Sequence, residues 1–250
     1  MSKFNITYDQ LHDFIQCPLI YKFKYIEKIK KDKNYIRNKV QKILIETIKE
    51  FYRVIQKEKR TMTFKELKTF WSSLYYKDSD ISEVLFRSND SKQKQINKAK
   101  KFLLNFHNRY SDNPGVTIDI NIPFNIKLPK IIISGEIPIV REINGNIDIL
   151  FLDYRKYNPD KFRGKNYMFF SLISYAYQNI FKEKEDSITY YNASYDKIVK
   201  VSRSENDYKK AFNQINNISV IIDNELFYQH YDFECQGCPY QQECTEWDGT

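Results

Sequence analysis

The residues of this chain best suited by type and spacing to do chemistry are its four cysteines. Cys235, Cys238 and Cys244 form a C-x2-C-x5-C knot with Pro239 after the second cysteine. Cys17 stands more than two hundred residues upstream, in the phrase Phe14-Ile-Gln-Cys17-Pro18. Thiolates at this spacing are metal ligands, and a set of four suits a 4Fe–4S cluster and equally suits tetrahedral zinc. In a reducing compartment such cysteines are ligands rather than disulfides. With every ligand supplied by the protein, no coordination position is left for a substrate. The metal's expected role is therefore structural, stapling the two ends of the chain together.

A second chemistry is legible in the charges. Residues 21–60 carry fourteen Lys or Arg against five Asp or Glu, a local excess that covers the whole net charge of +8. A concentrated basic segment is the electrostatic footprint expected of a protein that meets a phosphate backbone. Lys22, Lys24, Lys28 and Lys30, interleaved with Tyr21, Phe23 and Tyr25, could track such a backbone and stack on bases. The same pattern also fits a solvated helix face, with the aromatic residues forming core around the cysteines. Residues 223–250 carry seven acids and no Lys or Arg, a tail suited to a basic partner protein.

These residues must be positioned by the elements between them. Thr7-x-x-Gln10 reads as a capping box opening a short helix with Leu11, Phe14 and Ile15 on one face, and Pro18 can start a further helical turn. Apolar residues at spacings of three and four predict a long helix from Ile36 to Ile55. Two more helices are expected, one capped by Thr63-x-x-Glu66 and one over about 91–110. At Asn113-Pro-Gly the period changes from 3.6 to 2. One strand through Val116, Ile118, Ile120 and Ile122 is expected to end or kink at Pro123, followed by a second over about 130–140. Asn144-Gly145 predicts a type I′ turn into a nearly continuous apolar strand over 147–154. A helix over about 167–181, a strand over about 187–193 and a helix capped by Ser202-x-x-Glu205 complete the expected order.

At 250 residues, with 18 Phe and 20 Tyr, the chain can bury an aromatic core as one domain. Within it, residues 1–35 bring the first cysteine and the opening helices, 36–112 a helical region, 113–222 a β-β-β-α-β-α core and 223–250 the cysteine knot. No apolar run reaches the roughly 18 residues of a membrane span, and the start lacks a secretory segment, so a cytoplasmic protein with no membrane role is expected.

This order, with Thr7-Tyr-Asp-Gln-Leu11…Phe14-Ile-Gln-Cys17-Pro-Leu-Ile-Tyr21-Lys-Phe-Lys-Tyr25 at one end and the cysteine knot at the other, resembles the iron–sulfur branch of the PD-(D/E)XK nuclease superfamily. That branch includes RecB-like exonucleases and those of CRISPR adaptation. The resemblance implies a mixed α/β, restriction-endonuclease-like core and favours the 4Fe–4S cluster over zinc. It also implies a catalytic set of two carboxylates on neighbouring strands, a lysine two residues past the second, a histidine on an early helix and a glutamine after the sheet.

Here those positions fall on Pro138 after Gly135-Glu-Ile137, on Asp153, on Arg155, near Gln41 and on Ser171. Only Asp153 keeps its family identity, and Mg2+ or Mn2+, which wants near-octahedral oxygen ligation, is not expected to be held. An arginine at 155 can pair with Asp153 or hold a phosphate, and cannot serve as a base. The resemblance therefore implies a catalytically inactive relative that binds DNA or scaffolds a partner nuclease or helicase in recombination, repair, CRISPR-type or mobile-element DNA processing. An active exonuclease using Glu136 and Asp153 is the alternative, and a protein-interaction module with no nucleic-acid role is a third.

Overall fold

The computed structural model describes residues 4–31, 36–77, 92–153, 168–192, 195–231, 235 and 238–248. Strand β1 (Phe4–Thr7) runs directly into helix α1 (Tyr8–Gln16). The junction is the expected capping box: the Gln10 N–H donates to the Thr7 hydroxyl at 3.1 Å, and the Gln10 side chain accepts the Thr7 N–H at 2.7 Å. Leu11 and Phe14 are buried, whereas Ile15 lies on the rim of that stripe at 43% exposure. Cys17 is the extended hinge between α1 and α2 (Pro18–Tyr21), where Pro18 needs no N–H partner at the first helical position. A π-helical turn continues from Lys22 to Ile26.

Three longer helices follow: α3 (Ile36–Glu58), α4 (Phe64–Lys77) and α5 (Lys92–Tyr110). The predicted cap of α4 is present, with the Thr63 N–H donating to Glu66 at 2.7 Å and the Glu66 N–H donating to the Thr63 hydroxyl at 3.3 Å. The Thr63 N–H first, then the Arg60 guanidinium and the Thr63 hydroxyl, which donates to the carboxylate at 2.9 Å, hold the Glu66 carboxyl down at about 2. The remaining elements are β2 (Val116–Lys127), β3 (Ile131–Ile143), β4 (Asn146–Asp153), α6 (Met168–Phe181), β5 (Ser187–Asn192), β6 (Lys197–Val201), α7 (Glu205–Asp223) and α8 (Gln241–Glu246).

All six strands form one mixed sheet in the order β1-β3-β4-β5-β6, with β2 also on β3. β1 lies parallel to β3 and β4 parallel to β5, while the β2–β3, β3–β4 and β5–β6 pairs are antiparallel. The β3–β4 turn has φ 53° at Asn144 and 81° at Gly145, the two positive values that a type I′ turn requires. Helices cover both faces. One core lies under α1, α2, α6 and α7, and the other under α3, α4 and α5.

Three expectations need correction. β2 does not end at Pro123 but runs on to Lys127, because Pro123 sits on a strand that pairs with β3 alone and its missing N–H breaks no second ladder. The cap of α7 is Ser204-x-x-Asp207, not Ser202-x-x-Glu205: the Ser204 N–H donates to Asp207 at 2.9 Å. The short strands β1 and β6 were not foreseen, being too brief to show a period.

The irregularity expected at Pro123 lies two residues earlier. Residues two apart on a strand should share a face. Ile120 and Ile139, paired across β2 and β3, belong to the core under α3–α5, yet the next pair, Ile122 and Ile137, belongs to the core under α6 and α7. The exchange occurs at Asn121, which takes φ 59° opposite Pro138. On the other edge of β3, pairing with β1 ends at Ser134 and pairing with β4 begins at Val140. Among the described residues, no strand pairs with positions 135–139 on that side.

Candidate functional site

Cys17 comes from the α1–α2 hinge, Cys235 and Cys238 from the turn before α8, and Cys244 from α8 itself. Local backbone bonds place the last three: the Cys238 N–H donates to Cys235 O at 3.1 Å, and the Cys244 N–H donates to Tyr240 O at 2.9 Å. Burial, followed by the nearby Cys17, Cys244 and Cys235, pushes the Cys238 thiol up to about 11. Burial likewise raises Cys244, again with Cys17 and Cys235 contributing. The four sulfurs thus share one neighbourhood, and none is in a disulfide.

As they stand, no three His, Cys, Asp or Glu side chains among the described residues are arranged to hold a metal ion. The donor set nonetheless fits a thiophilic metal. Thiols that raise one another by proximity are thiols that a bound cation would deprotonate together. Around them, the Gln229 amide donates to Cys244 Sγ at 2.9 Å, and His230 Nδ1 lies 2.9 Å from Gln16 O, so the segment before the knot is fixed to the end of α1.

The lysines assigned to phosphate contacts divide into two pairs. Lys24 is held by Asp13 at 2.7 Å, and Lys22 lies 3.6 Å from Glu27 with its ammonium over the Trp247 ring. Lys31 pairs with Glu243 and sits over the Tyr240 ring. This part of the basic segment is used internally, against α1 and the acidic tail. The tail's acids are accordingly met in part by the chain's own cations. Lys28 and Lys30 are exposed. Tyr21 and Phe23 are core residues, packed on Phe227 and Tyr240 respectively.

The positions implied by the family resemblance are brought only partly together. Asp153 ends β4 with its backbone opposite Asn192 of β5, which is fully buried. Ser171 is buried on α6, in the layer facing that end of the sheet. Phe151, two residues before Asp153, is stacked on Tyr190 and edge-on to Phe170, and Arg203 lies over Phe170. Gln41 is on α3, across the sheet from α6. Pro138 marks the irregular centre of β3. Glu136 is exposed, whereas its neighbours Gly135 and Ile137 face Tyr8 and the core, so Glu136 takes the other side of the strand. Arg155 lies outside the described residues.

The histidines have structural surroundings of their own. His12 packs on Phe169 at the start of α6 with ring centroids 5.7 Å apart, and His107 Nε2 lies 3.1 Å from Met62 O.

Two buried charged sites, the first an ion pair, escaped the sequence reading. Arg141 and Asp148, 1% and 2% exposed, face each other across β3 and β4 with Nε–Oδ2 at 2.9 Å and Nη2–Oδ2 at 2.8 Å. The other Asp148 oxygen accepts the Ser187 hydroxyl at 2.6 Å and the Thr189 hydroxyl at 2.7 Å, and Arg141 also donates to the Tyr52 hydroxyl and to Pro114 O. Burial alone would lower the Arg141 guanidinium, but Tyr52, Asp148 and Tyr110 outweigh it and hold the charge. The only sequence signal was a polar residue at the buried position of an otherwise apolar strand.

The second is Glu185, 2% exposed, which accepts from Ser174, itself 2.7 Å from the Tyr208 hydroxyl. Burial raises the Glu185 carboxyl above its ordinary value, and the Ser174 bond opposes this only in part. A raised folded value means that the contribution to stability is complete below the unfolded value and is lost as pH rises through the folded one. Glu185→Gln is therefore expected to melt above the native protein at pH 7.5, with the gap closing toward pH 4. Thermal melts across that range check it, and a gap that widens on acidification would contradict it.

No known protein-family profile and no curated protein sequence matches this chain. In fold it is similar to the crystal structure of a putative exonuclease from Eubacterium rectale, with a TM-score of 0.53 and 10% identity over 97% of this chain and 87% of that one. A structure of a protein designated SSO0001 aligns over 90% of this chain and 91% of that one at 11% identity, with a TM-score of 0.38. The chain has a mixed α/β, nuclease-like fold. No helix among the described residues is long and apolar enough to cross a membrane.

Proposed function

We propose that this protein is a nuclease-like iron–sulfur protein that binds DNA without cutting it, serving a partner nuclease or helicase as guide or scaffold. The observation that carries the reading is the contrast between its two candidate centres. Supporting one centre, beyond burial itself Cys17, Cys244 and Cys235 all contribute to raising the Cys238 thiol. The positions of the implied catalytic set instead hold Pro138 where a carboxylate would stand and Ser171 where a glutamine would, and Phe151 and Phe170, near Asp153 and Ser171 in sequence, pack edge-on to each other. Cys17, Cys235, Cys238 and Cys244 would hold the cluster, which would supply cross-linking rather than reactivity. Zinc on the same thiolates would serve the fold in the same way.

Anaerobically purified protein is expected to be brown with about four irons per chain, and colourless protein with stoichiometric zinc would replace the cluster. With Mg2+ or Mn2+ and labelled single- or double-stranded DNA, no cleavage is expected, and Asp153→Ala is expected to behave as the native chain does. Metal-dependent cutting that disappears in Asp153→Ala would overturn the non-catalytic reading and restore the exonuclease. Lack of any salt-sensitive DNA binding at low ionic strength would favour a protein-interaction module instead.

A further inference from the structure

We infer that Gln229 positions and tunes Cys244 on the metal, its side-chain amide donating to the ligand sulfur. This role rests on the thiolate-metal reading above and belongs to a residue outside the four ligands. The glutamine stands fifteen residues before Cys244, and nothing in the cysteine spacing points to it.

The geometry is that of a supporting donor. Gln229 Nε2 lies 2.9 Å from Cys244 Sγ, in a partly buried contact. An amide nitrogen carries protons that it does not lose, so it meets the sulfur only as a donor. A thiolate bound to a cation keeps lone pairs that can accept such a bond. The Cys238 sulfur is met in the same way by the backbone N–H of Tyr240. Two of the four sulfurs thus face N–H groups.

The backbone that carries Gln229 is pinned on both sides. Phe227 is buried and stacks on Tyr21 of α2, with ring centroids 6.3 Å apart. His230 Nδ1 lies 2.9 Å from the carbonyl oxygen of Gln16, the residue before Cys17. Leu226 and Tyr228 are exposed and alternate with Phe227 and Gln229, as in an extended segment whose odd-numbered side chains turn inward. One short segment therefore reaches the ligands at both ends of the chain, Cys244 directly and Cys17 through its neighbour. Groups placed in this way orient a ligand and set how tightly the metal is held. On an iron–sulfur cluster, hydrogen bonds to the sulfurs also set the reduction potential.

The test compares the metal-loaded native chain with two variants. Gln229→Leu removes the donor and keeps the bulk, whereas Gln229→Glu keeps the shape and puts an acceptor with negative charge against the sulfur. The readout is the concentration of competing chelator that removes half of the bound metal in a fixed time. It should fall about 10–100-fold in Gln229→Leu, and further in Gln229→Glu. If the metal is iron, both variants should have a lower midpoint potential, because the added electron is less well met at sulfur. If it is zinc, Co2+ exchanged into the site should show its thiolate-to-metal charge-transfer band at longer wavelength in Gln229→Leu.

Chelator-stripped native and Gln229→Leu chains should melt alike. If the variant is weakened equally with and without metal, Gln229 only packs its segment and the inference is lost. Gln229→Glu holding the metal better than Gln229→Leu would make the side chain an acceptor, which also overturns it. If the native chain carries metal and both variants release it at the native chelator concentration, the inference falls and the thiolate-metal reading survives. A native chain that binds neither iron nor zinc ends both.

Discussion

Cys17→Ser is expected to release the metal from all four positions and to weaken the whole domain, although it changes one atom far from the other three ligands in sequence. The energy of a structural thiolate site is folding energy, with apparent values of about 10–16 kcal/mol for zinc. A loss of even about 3 kcal/mol would lower the melting temperature of a chain this long by about 6–12 °C. The structure gives that loss a location. Cys17 is the hinge between α1 and α2, and the turn that carries Cys235 and Cys238 is tied to the same region through His230 and Gln16. Metal content by mass spectrometry and thermal melts of both proteins check the expectation. The chelator-stripped native chain should match the variant, and a Cys17→Ser protein with full metal content and native stability would remove the staple.

The second large effect is expected at the buried pair on the opposite side of the sheet. Asp148→Ala leaves the Arg141 guanidinium, 1% exposed, without its carboxylate. Removing one member of a buried ion pair costs about 3–5 kcal/mol, because an uncompensated charge stays behind. The Ser187 and Thr189 hydroxyls lose their acceptor in the same step. Chemical denaturation should show this as a lower midpoint. The double variant Arg141→Met/Asp148→Leu, which removes both charges, is expected to recover a large part of the loss. A single variant as stable as the native chain would show that the pair does not hold β3 and β4 together.

What the sequence made legible follows from how local each signal is. Thr7-Gln10, Thr63-Glu66 and Asn144-Gly145 each fix a cap or turn within four residues, and each is found where it was read. The long helices α3 and α5 declare themselves by period, and the cysteines by spacing. What stayed hidden depends on distant partners. β1 has only four residues, and its pairing partner Ile131 lies on another part of the chain. The dispersal of the basic segment's charge needs Asp13 and Glu243, one before it and one near the other end. Burial of Arg141 needs Tyr52 and Asp148 from two other elements.

The parallel pairing of β1 with β3 also sets the order in which the chain can be built during synthesis. Phe4 has no strand to join until Ile131 has been made and has left the ribosome. At translation rates of about 5–20 residues per second, the wait is on the order of ten seconds. Through that interval the opening strand has an unpaired edge and Ile6 lacks its core, which is the kind of segment that chaperones bind. Cys17 waits longer still for Cys235, Cys238 and Cys244, which are made about a hundred residues after Ile131.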